Sequence, residues 1–277
     1  MSLFSRKLPE MHRAKLSAVS VLVLTGALLA GCSATPEADK TAGWSPNRIY
    51  SEAKDEMNSA NYDAAINLYE KLEGRAAGTP LAQQAQLEKA YAYHRSGERA
   101  QAISTLDRFM RLHPASPAYD YALYLRGIVN FTDDLGMFSF VTRQDLSERD
   151  QKAAKESFES FKELITRFPD SRYTPDARLR MTYIVNSLAQ YEVHVARYYY
   201  TRGAYLAAIN RAQITVADYR EVPAVEEALF ILVKSYDALG MTQLRDDSQR
   251  VLQQNYPQST FLTQGFREKA DPWWKFW

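Results

Sequence analysis

The stretch SEAKDEMNSANYDAAINLYEKL, residues 51–72, is echoed 37 residues later within LEKAYAYHRSGERAQAISTLDRF, residues 87–109. The shift carries Ala53 onto Ala90, so a small side chain recurs where two helices would cross closely. Self-similarity at a period of about 20 to 50 residues is typical of solenoid architectures. Apolar residues recur at spacings of three and four on both sides of a short turn, which predicts a helix-turn-helix unit.

A second recurring pattern marks the ends of the units. A proline follows a periodic apolar segment and a serine stands two residues later, at Pro114, Pro169 and Pro257. Proline stops a helix because it lacks an N–H, and a serine can cap the next helix. We therefore predict an all-α chain that resembles a tetratricopeptide superhelix with a concave binding surface. The five predicted repeats are 47–79, 80–116, 117–171, 172–222 and 223–258.

The N-terminal region has the layout of a secretory signal. Four basic residues lie within 1–15, an apolar run fills 16–30, and Cys32 is the only cysteine of the chain. About 15 apolar residues are fewer than a transmembrane helix needs. The stretch from Leu29 to Cys32 resembles the bacterial lipobox, which implies that the signal 1–31 is removed and that Cys32 is lipidated. Ser33 favours the outer membrane by the same analogy, and residues 32–46 form a predicted flexible tether.

Composition excludes several function classes. A formal net charge of +1 gives no broad basic surface, so no nucleic-acid partner is expected. The four histidines lack metal-ligand spacing, and the chain has no phosphate loop and no nucleophile elbow. We therefore expect no catalytic residues, no metal and no cofactor, and predict that the protein is not an enzyme.

Two predicted repeats are longer than the others. Repeat three contains the insertion DDLGMFSFVTRQDLSERD, in which Met137, Phe138 and Phe140 either fill the protein's own groove or contact a partner. Repeat four runs from Asp176 to Arg202 without a helix breaker, which predicts one long helix.

Three long stretches, residues 107–127, 143–177 and 195–212, resemble the BamD (ComL/YfiO) family of outer membrane protein assembly lipoproteins. The resemblance extends over residues 32 to 260, although GRAAGTP in the first repeat departs from the family pattern. It implies a periplasm-facing, lipid-anchored scaffold of the β-barrel assembly machine in the outer membrane. Such a scaffold docks to the barrel-forming subunit and to accessory lipoproteins. It also helps to recognise and insert unfolded outer membrane proteins through their C-terminal, aromatic-ended signals.

The resemblance also implies two binding regions. Residues 47–171 would bind clients and residues 172–260 would dock to the complex. Arg202 and Arg211 match family arginines on the side of the barrel-forming subunit, and Tyr205 lies beside them. Tyrosine suits peptide recognition because it joins a large apolar face to a polar tip. The client-groove candidates are Tyr62, Tyr69, Tyr91, Tyr93, Tyr121 and Tyr124, and Tyr119 lies in the same region. Intramolecular pairing of the arginines and core packing of most tyrosines remain alternatives.

Two further functions and three roles for the tail stay open. A repeat lipoprotein of this kind could instead bind peptidoglycan or cell-wall synthesis enzymes, and a cell-wall hydrolase on a helical solenoid is a third possibility. The tail 261–277 ends in Trp273, Trp274, Phe276 and Trp277. It could pack on the last repeat, dock to a partner or the membrane interface, or mimic a client signal.

Overall fold

A computed structural model describes residues 39–131 and 151–266. Residues 39–45 form a short turn in which the backbone N–H of Ala42 donates to the carbonyl of Asp39 at 2.9 Å. From Pro46 onward the described chain contains helices and no strands. In chain order they are α1 (Pro46–Asn58), α2 (Tyr62–Arg75), α3 (Pro80–Arg95), α4 (Arg99–Leu112), α5 (Tyr119–Asn130), α6 (Gln151–Arg167), α7 (Thr174–Thr201), α8 (Tyr205–Asp218), α9 (Ala224–Ala238), α10 (Thr242–Asn255) and α11 (Thr260–Gln264).

The first ten helices form five consecutive pairs. Each of the helices α1 to α9 packs against the next one in the chain, and α7 also packs against α9. This nearest-neighbour pattern is that of a tetratricopeptide-type helical repeat stack. The predicted all-α fold class is confirmed.

At two of the three repeat ends the recurring serine lies two residues before the N-cap of the next helix and not at the N-cap itself. Ser116, Ser171 and Ser259 each accept a hydrogen bond at 3.3 Å from the backbone N–H two residues on. Only Ser259 is the residue that immediately precedes a helix. Ser116 and Ser171 instead form a small side-chain turn that leads into α5 and α7.

The turns inside the repeats need backbone with positive φ. Gly97, Gly203 and Gly240 have φ values of 85°, 75° and 69° in repeats two, four and five. Repeat one has Ala60 in this position, with φ of 59°. A side chain with a Cβ is strained in this region, whereas glycine is not.

The core runs continuously from α3 to α10. One apolar cluster joins α3, α4 and α5, a second joins α5, α6 and α7, and a third fills the space between α7 and α10. Met110 packs against the first two clusters and Tyr219 against the last two. Because no single repeat buries its apolar faces alone, the repeats depend on their neighbours for stability.

Helix α7 has 28 residues and is the longest described helix. At a rise of about 1.5 Å per residue it is roughly 42 Å long, in agreement with the uninterrupted run in the sequence. Its N-terminal half packs on α6 and its C-terminal half on α8 and α9. Across the described ranges, no helix combines the length and the apolar character that a membrane crossing requires.

Candidate binding surfaces

A cleft lies between the first half of α3, the start of α5 and the link that leads into α7. Its volume is about 600 Å³. The lining includes Gln84, Leu87 and Glu88 on α3, Tyr121 on α5, and Arg172 and Tyr173 immediately before α7. We call this cleft the tyrosine groove.

Aromatic rings form one wall of the tyrosine groove. The ring of Tyr124 stacks on that of Tyr173 with centroids 4.7 Å apart and planes 19° apart. Tyr121 packs against the same Tyr173 ring at 5.5 Å. The guanidinium of Arg172 lies 4.8 Å from the Tyr173 ring centroid and donates to its hydroxyl at 2.6 Å. The wall is thus rigid, apolar on its face and polar at its edge, which suits binding of a peptide side chain.

Hydrogen bonds hold Tyr124 in place. Its hydroxyl donates to Oδ2 of Asp176 at 2.8 Å, and Nε of Arg180 donates to the same oxygen at 2.6 Å. Burial alone would raise the pKa of Asp176, but the hydrogen bonds from Arg180 and Tyr124 lower that pKa below its ordinary value. Burial, followed by the bond to Asp176, raises the pKa of Tyr124. The carboxylate therefore stays ionised and fixes the orientation of the Tyr124 ring.

The opposite wall of the groove carries a carboxylate. Oε1 of Glu88 lies 3.4 Å from Nζ of Lys54 and 3.5 Å from the hydroxyl of Tyr50. The amide of Gln84 donates to that same hydroxyl at 2.6 Å. The α3 side of the groove therefore presents polar groups beside the apolar Leu87.

The predicted client-groove tyrosines do not all lie in one place. Tyr121 lines the groove and Tyr124 stacks behind it. Tyr69 is fully buried, and burial raises the pKa of its hydroxyl, so it is a core residue that no client can reach. Tyr62 and Tyr91 both lie beside the guanidinium of Arg95, at the C-terminal end of α3.

The guanidinium carbon of Arg95 lies 5.5 Å from the Tyr62 ring centroid and 5.8 Å from that of Tyr91. Tyr93 is half-buried and packs against the core between α3 and α5. Tyr119 carries the guanidinium of Arg167 over its ring at 4.4 Å and faces away from the groove, toward α6. Of the predicted tyrosines, Tyr121 and Tyr124 thus belong to the groove, and the others lie elsewhere.

Tyr173 and Tyr50 are not among the residues that the sequence predicts for this surface. The repeat shift contained a signal for Tyr50, because two successive shifts of 37 residues carry Tyr50 onto Leu87 and then onto Tyr124. Equivalent positions of successive repeats line the same face of the stack. Tyr173 has no such counterpart, since it lies in a link between repeats.

A second candidate surface lies at the turn between α7 and α8. Arg202 is exposed, and its guanidinium carbon stands 5.3 Å from the ring centroid of Tyr198. It forms no ion pair with the rest of the described chain. Tyr198 and Leu206 are 54% and 63% exposed, while Tyr205 packs its ring against Tyr200. We call Tyr198, Arg202, Tyr205 and Leu206 the docking edge.

Arg211 is placed differently from Arg202. Its Nη1 donates to Oε2 of Glu192 on α7 at 3.0 Å, and the side chain of Glu192 is only 9% exposed. This bond raises the pKa of Arg211. A buried carboxylate needs such a partner. Arg211 therefore has a structural role whatever it does toward a partner.

Several predicted features lie outside the described residues. These are the signal and Cys32, the side chains of Met137, Phe138 and Phe140 in the insertion, and the aromatic residues of the tail from Trp273 to Trp277. Within residues 39–131 and 151–266, no cluster of histidine, cysteine and acidic side chains could hold a metal ion.

Similarity to known proteins is extensive. The family model YfiO, described as an outer membrane lipoprotein, matches residues 43–252. The outer membrane protein assembly factor BamD of Neisseria meningitidis serogroup A is 44% identical over 94% of this chain and 98% of its own length. BamD of Xylella fastidiosa strain Temecula1 is 34% identical over 88% of this chain and 83% of its own. A solved structure of kinesin light chain TPR-like repeats aligns with 78% of this chain and 100% of that chain, at 16% identity and a TM-score of 0.33.

Proposed function

The chain belongs to the YfiO family of outer membrane lipoproteins, whose curated relatives are named outer membrane protein assembly factor BamD, and from this premise we propose that it is a non-enzymatic scaffold of the β-barrel assembly machine. Lipid on Cys32 holds the protein at the periplasmic face of the outer membrane. The repeat stack then docks to the barrel-forming subunit and to accessory lipoproteins, and it receives unfolded outer membrane proteins.

The observation that carries this proposal is the separation of the two candidate surfaces. The tyrosine groove is built from α3, α5 and the residues just before α7, whereas the docking edge lies at the C-terminal end of α7. One stack can therefore hold a client and a partner subunit at the same time. A scaffold needs this arrangement, because it must bind both at once. Neither surface brings together groups suited to catalysis.

The tyrosine groove fits an aromatic side chain at the end of an extended peptide. Such a ring would pack between the side chains of Tyr121, Tyr173 and Leu87 that line the groove. The Arg172 guanidinium at the rim supplies a cation for the peptide's terminal carboxylate. Buried aromatic and arginine contacts of this kind carry most of the energy at protein interfaces.

The docking edge fits a partner surface that has a carboxylate within an apolar patch. The guanidinium of Arg202 can form two parallel bonds to a carboxylate, and it is held in position by the ring of Tyr198. Leu206 and Tyr198 supply apolar area around that ion pair. Exclusion of water by the apolar residues would strengthen the pair.

Charge reversal at Arg202 tests the docking role. In detergent extracts of the envelope, Arg202→Glu should lose most of the barrel-forming subunit that co-purifies with the wild type. The thermal midpoint should stay unchanged, because Arg202 is exposed. The matched control is Arg111→Glu, an exposed arginine near the end of α4, which should retain the subunit. Retention at the wild-type level by Arg202→Glu would refute the docking role of this edge.

Truncation of Tyr173 tests the client role. A peptide with the last ten residues of an outer membrane β-barrel protein should bind Tyr173→Ala roughly tenfold more weakly than wild type, as for an aromatic hot spot. Tyr62→Ala is the control, because Tyr62 lies away from the groove, beside Arg95. Equal binding by the wild type and Tyr173→Ala would show that clients bind elsewhere.

A further inference from the structure

The described part of the chain ends beside the docking edge. The ring of Phe266, the last described residue, packs against Tyr200 with centroids 5.1 Å apart and meets Phe230 edge-on at 4.9 Å. Tyr200 in turn packs against Tyr205 of the docking edge at 5.6 Å. A continuous line of aromatic rings therefore joins Phe266 to the docking edge.

The residues that follow Phe266 have the chemistry that the docking edge is suited to bind. Their sequence ends in DPWWKFW, in which Asp271 stands two residues before Trp273 and three before Trp274. We call residues 271–277 the DPWWKFW segment. It combines a carboxylate with large apolar side chains. The docking edge offers the matching groups, namely an exposed guanidinium with a tyrosine and a leucine beside it.

The charges near Phe266 favour the docking edge over the other exposed apolar surface in this region. The outer face of α10 also exposes Leu244 and Val251, but the arginines of that helix, Arg245 and Arg250, already pair with acids of the same chain. Arg202 has no acidic partner within residues 39–131 and 151–266. A carboxylate gains most from a cation that is not yet paired.

The same chain is long enough to reach the docking edge. Asp271 follows Phe266 by five residues, and an extended chain covers about 3.3 Å per residue, or roughly 17 Å in all. Only the two ring contacts of 5.1 and 5.6 Å separate Phe266 from Tyr205. A short linker gives an effective concentration of about 1 mM, so a contact with a Kd of about 0.1 to 0.2 mM would be occupied in most molecules.

We propose that the DPWWKFW segment occupies the docking edge of its own chain until a partner subunit displaces it. The carboxylate of Asp271 pairs with the guanidinium of Arg202, and the two tryptophans that follow cover Leu206 and Tyr198, which are otherwise exposed to water. The segment is then an intramolecular competitor for docking. The contact stands on the geometry of the edge, whereas its regulatory effect rests on the docking role proposed above.

Tryptophan fluorescence tests the contact on the full-length protein in detergent. The chain has four tryptophans, and only Trp44 lies outside the DPWWKFW segment. In a Trp44→Phe background, Arg202→Glu or Leu206→Ser should shift the emission to longer wavelength and raise its quenching by acrylamide. Arg111→Glu, the exposed control, should change neither. Adding Asp271→Arg to Arg202→Glu should reverse the change, because it restores an ion pair of opposite sense. Thermal midpoints should stay unchanged, since all these positions except Trp44 and Asp271 are exposed side chains of the described structure.

Binding of the purified barrel-forming subunit tests the competition. Asp271→Arg should bind this subunit about five- to tenfold more tightly than the wild type, because the intramolecular competitor is weakened. If Asp271→Arg binds it no more tightly although the edge variants release the segment, the contact stands and the competition is refuted.

Two other outcomes would overturn the contact itself. Emission that is unchanged in Arg202→Glu and Leu206→Ser would place the segment elsewhere, such as in the detergent or on α10. Loss of the barrel-forming subunit from Arg202→Glu would in that case still support the docking role, and its retention would refute that role separately. Emission that shifts to longer wavelength on dilution of the protein would assign the contact to a second copy of the chain.

Discussion

Replacement of Gly127 by alanine should destabilise this protein, although alanine is the better helix former. Gly127 lies in α5, where α5 crosses α6. A Cβ placed there would stand 2.7 Å from Cδ1 and Cζ of Phe161 and closer still to Cε1. The Phe161 ring is fully buried and packs against Tyr124 and Phe131, so it has no free space to move into.

The magnitude follows from two opposing terms. Overpacking of a close-packed core costs about 3 kcal/mol at the upper end of its usual range. Glycine to alanine in a helix returns about 1 kcal/mol. The net loss of about 2 kcal/mol corresponds to a thermal midpoint roughly 4 to 8 °C lower for a chain of this size.

The assay is thermal and urea unfolding followed by circular dichroism, with Gly74→Ala as the matched control. Gly74 lies in α2, is exposed, and has nothing within 4 Å of an added Cβ, so this variant should gain up to about 1 kcal/mol. Shortening the ring in Gly127→Ala/Phe161→Leu should recover part of the loss, with a coupling energy of about 1 kcal/mol or more. A Gly127→Ala variant as stable as Gly74→Ala would refute the close crossing of α5 and α6.

Three further outcomes are expected. Ala60→Gly should raise the free energy of unfolding by roughly 1 kcal/mol, because glycine adopts a positive φ without strain. Gly97→Ala should lower the free energy of unfolding by a similar amount. Urea unfolding of the two variants measures both changes. Arg211→Glu should lower the thermal midpoint, because it places a second carboxylate beside the buried Glu192. Adding Glu192→Gln to this variant should restore part of the loss. A midpoint unaffected by Arg211→Glu would contradict the structural role of the pair. The ionised form of Asp176 stabilises the fold fully above its unfolded pKa of about 3.9, and this contribution is lost as pH falls through the lower folded pKa. Asp176→Asn should therefore make stability depend less steeply on pH in the acid range. An unchanged dependence would show that ionisation of this carboxylate is not linked to folding.

The repeat pattern predicted a large part of this fold because helical repeats are local structures. Apolar spacing and proline positions affect the conformation of only the few residues around them. The all-α class and the long helix α7 could therefore be predicted from the sequence. The serines illustrate the limit of such reasoning. Their side chains bond two residues on as expected, but the backbone takes another turn before α5 and α7 begin.

The tyrosines of the candidate sites also show what the sequence can predict and what it cannot. The sequence indicates that tyrosine is abundant in the first three repeats, but it does not distinguish Tyr69 in the core from Tyr121 in the groove. Those two residues differ in which neighbouring repeat covers them. Likewise Arg202 and Arg211 stand nine residues apart in one motif, and only the packing of α8 on α7 gives Arg211 a buried carboxylate as partner.

The sequence by itself thus determined the helical repeat and the family, since both depend on residue types at fixed positions along the chain. Only the tertiary structure decided which side chains form the tyrosine groove, which arginine remains available at the docking edge, and which rings Phe266 packs against. Each of these depends on contacts between residues tens of positions apart, such as Tyr124 with Tyr173. The stacking of whole helices creates such contacts, and no short sequence pattern encodes them.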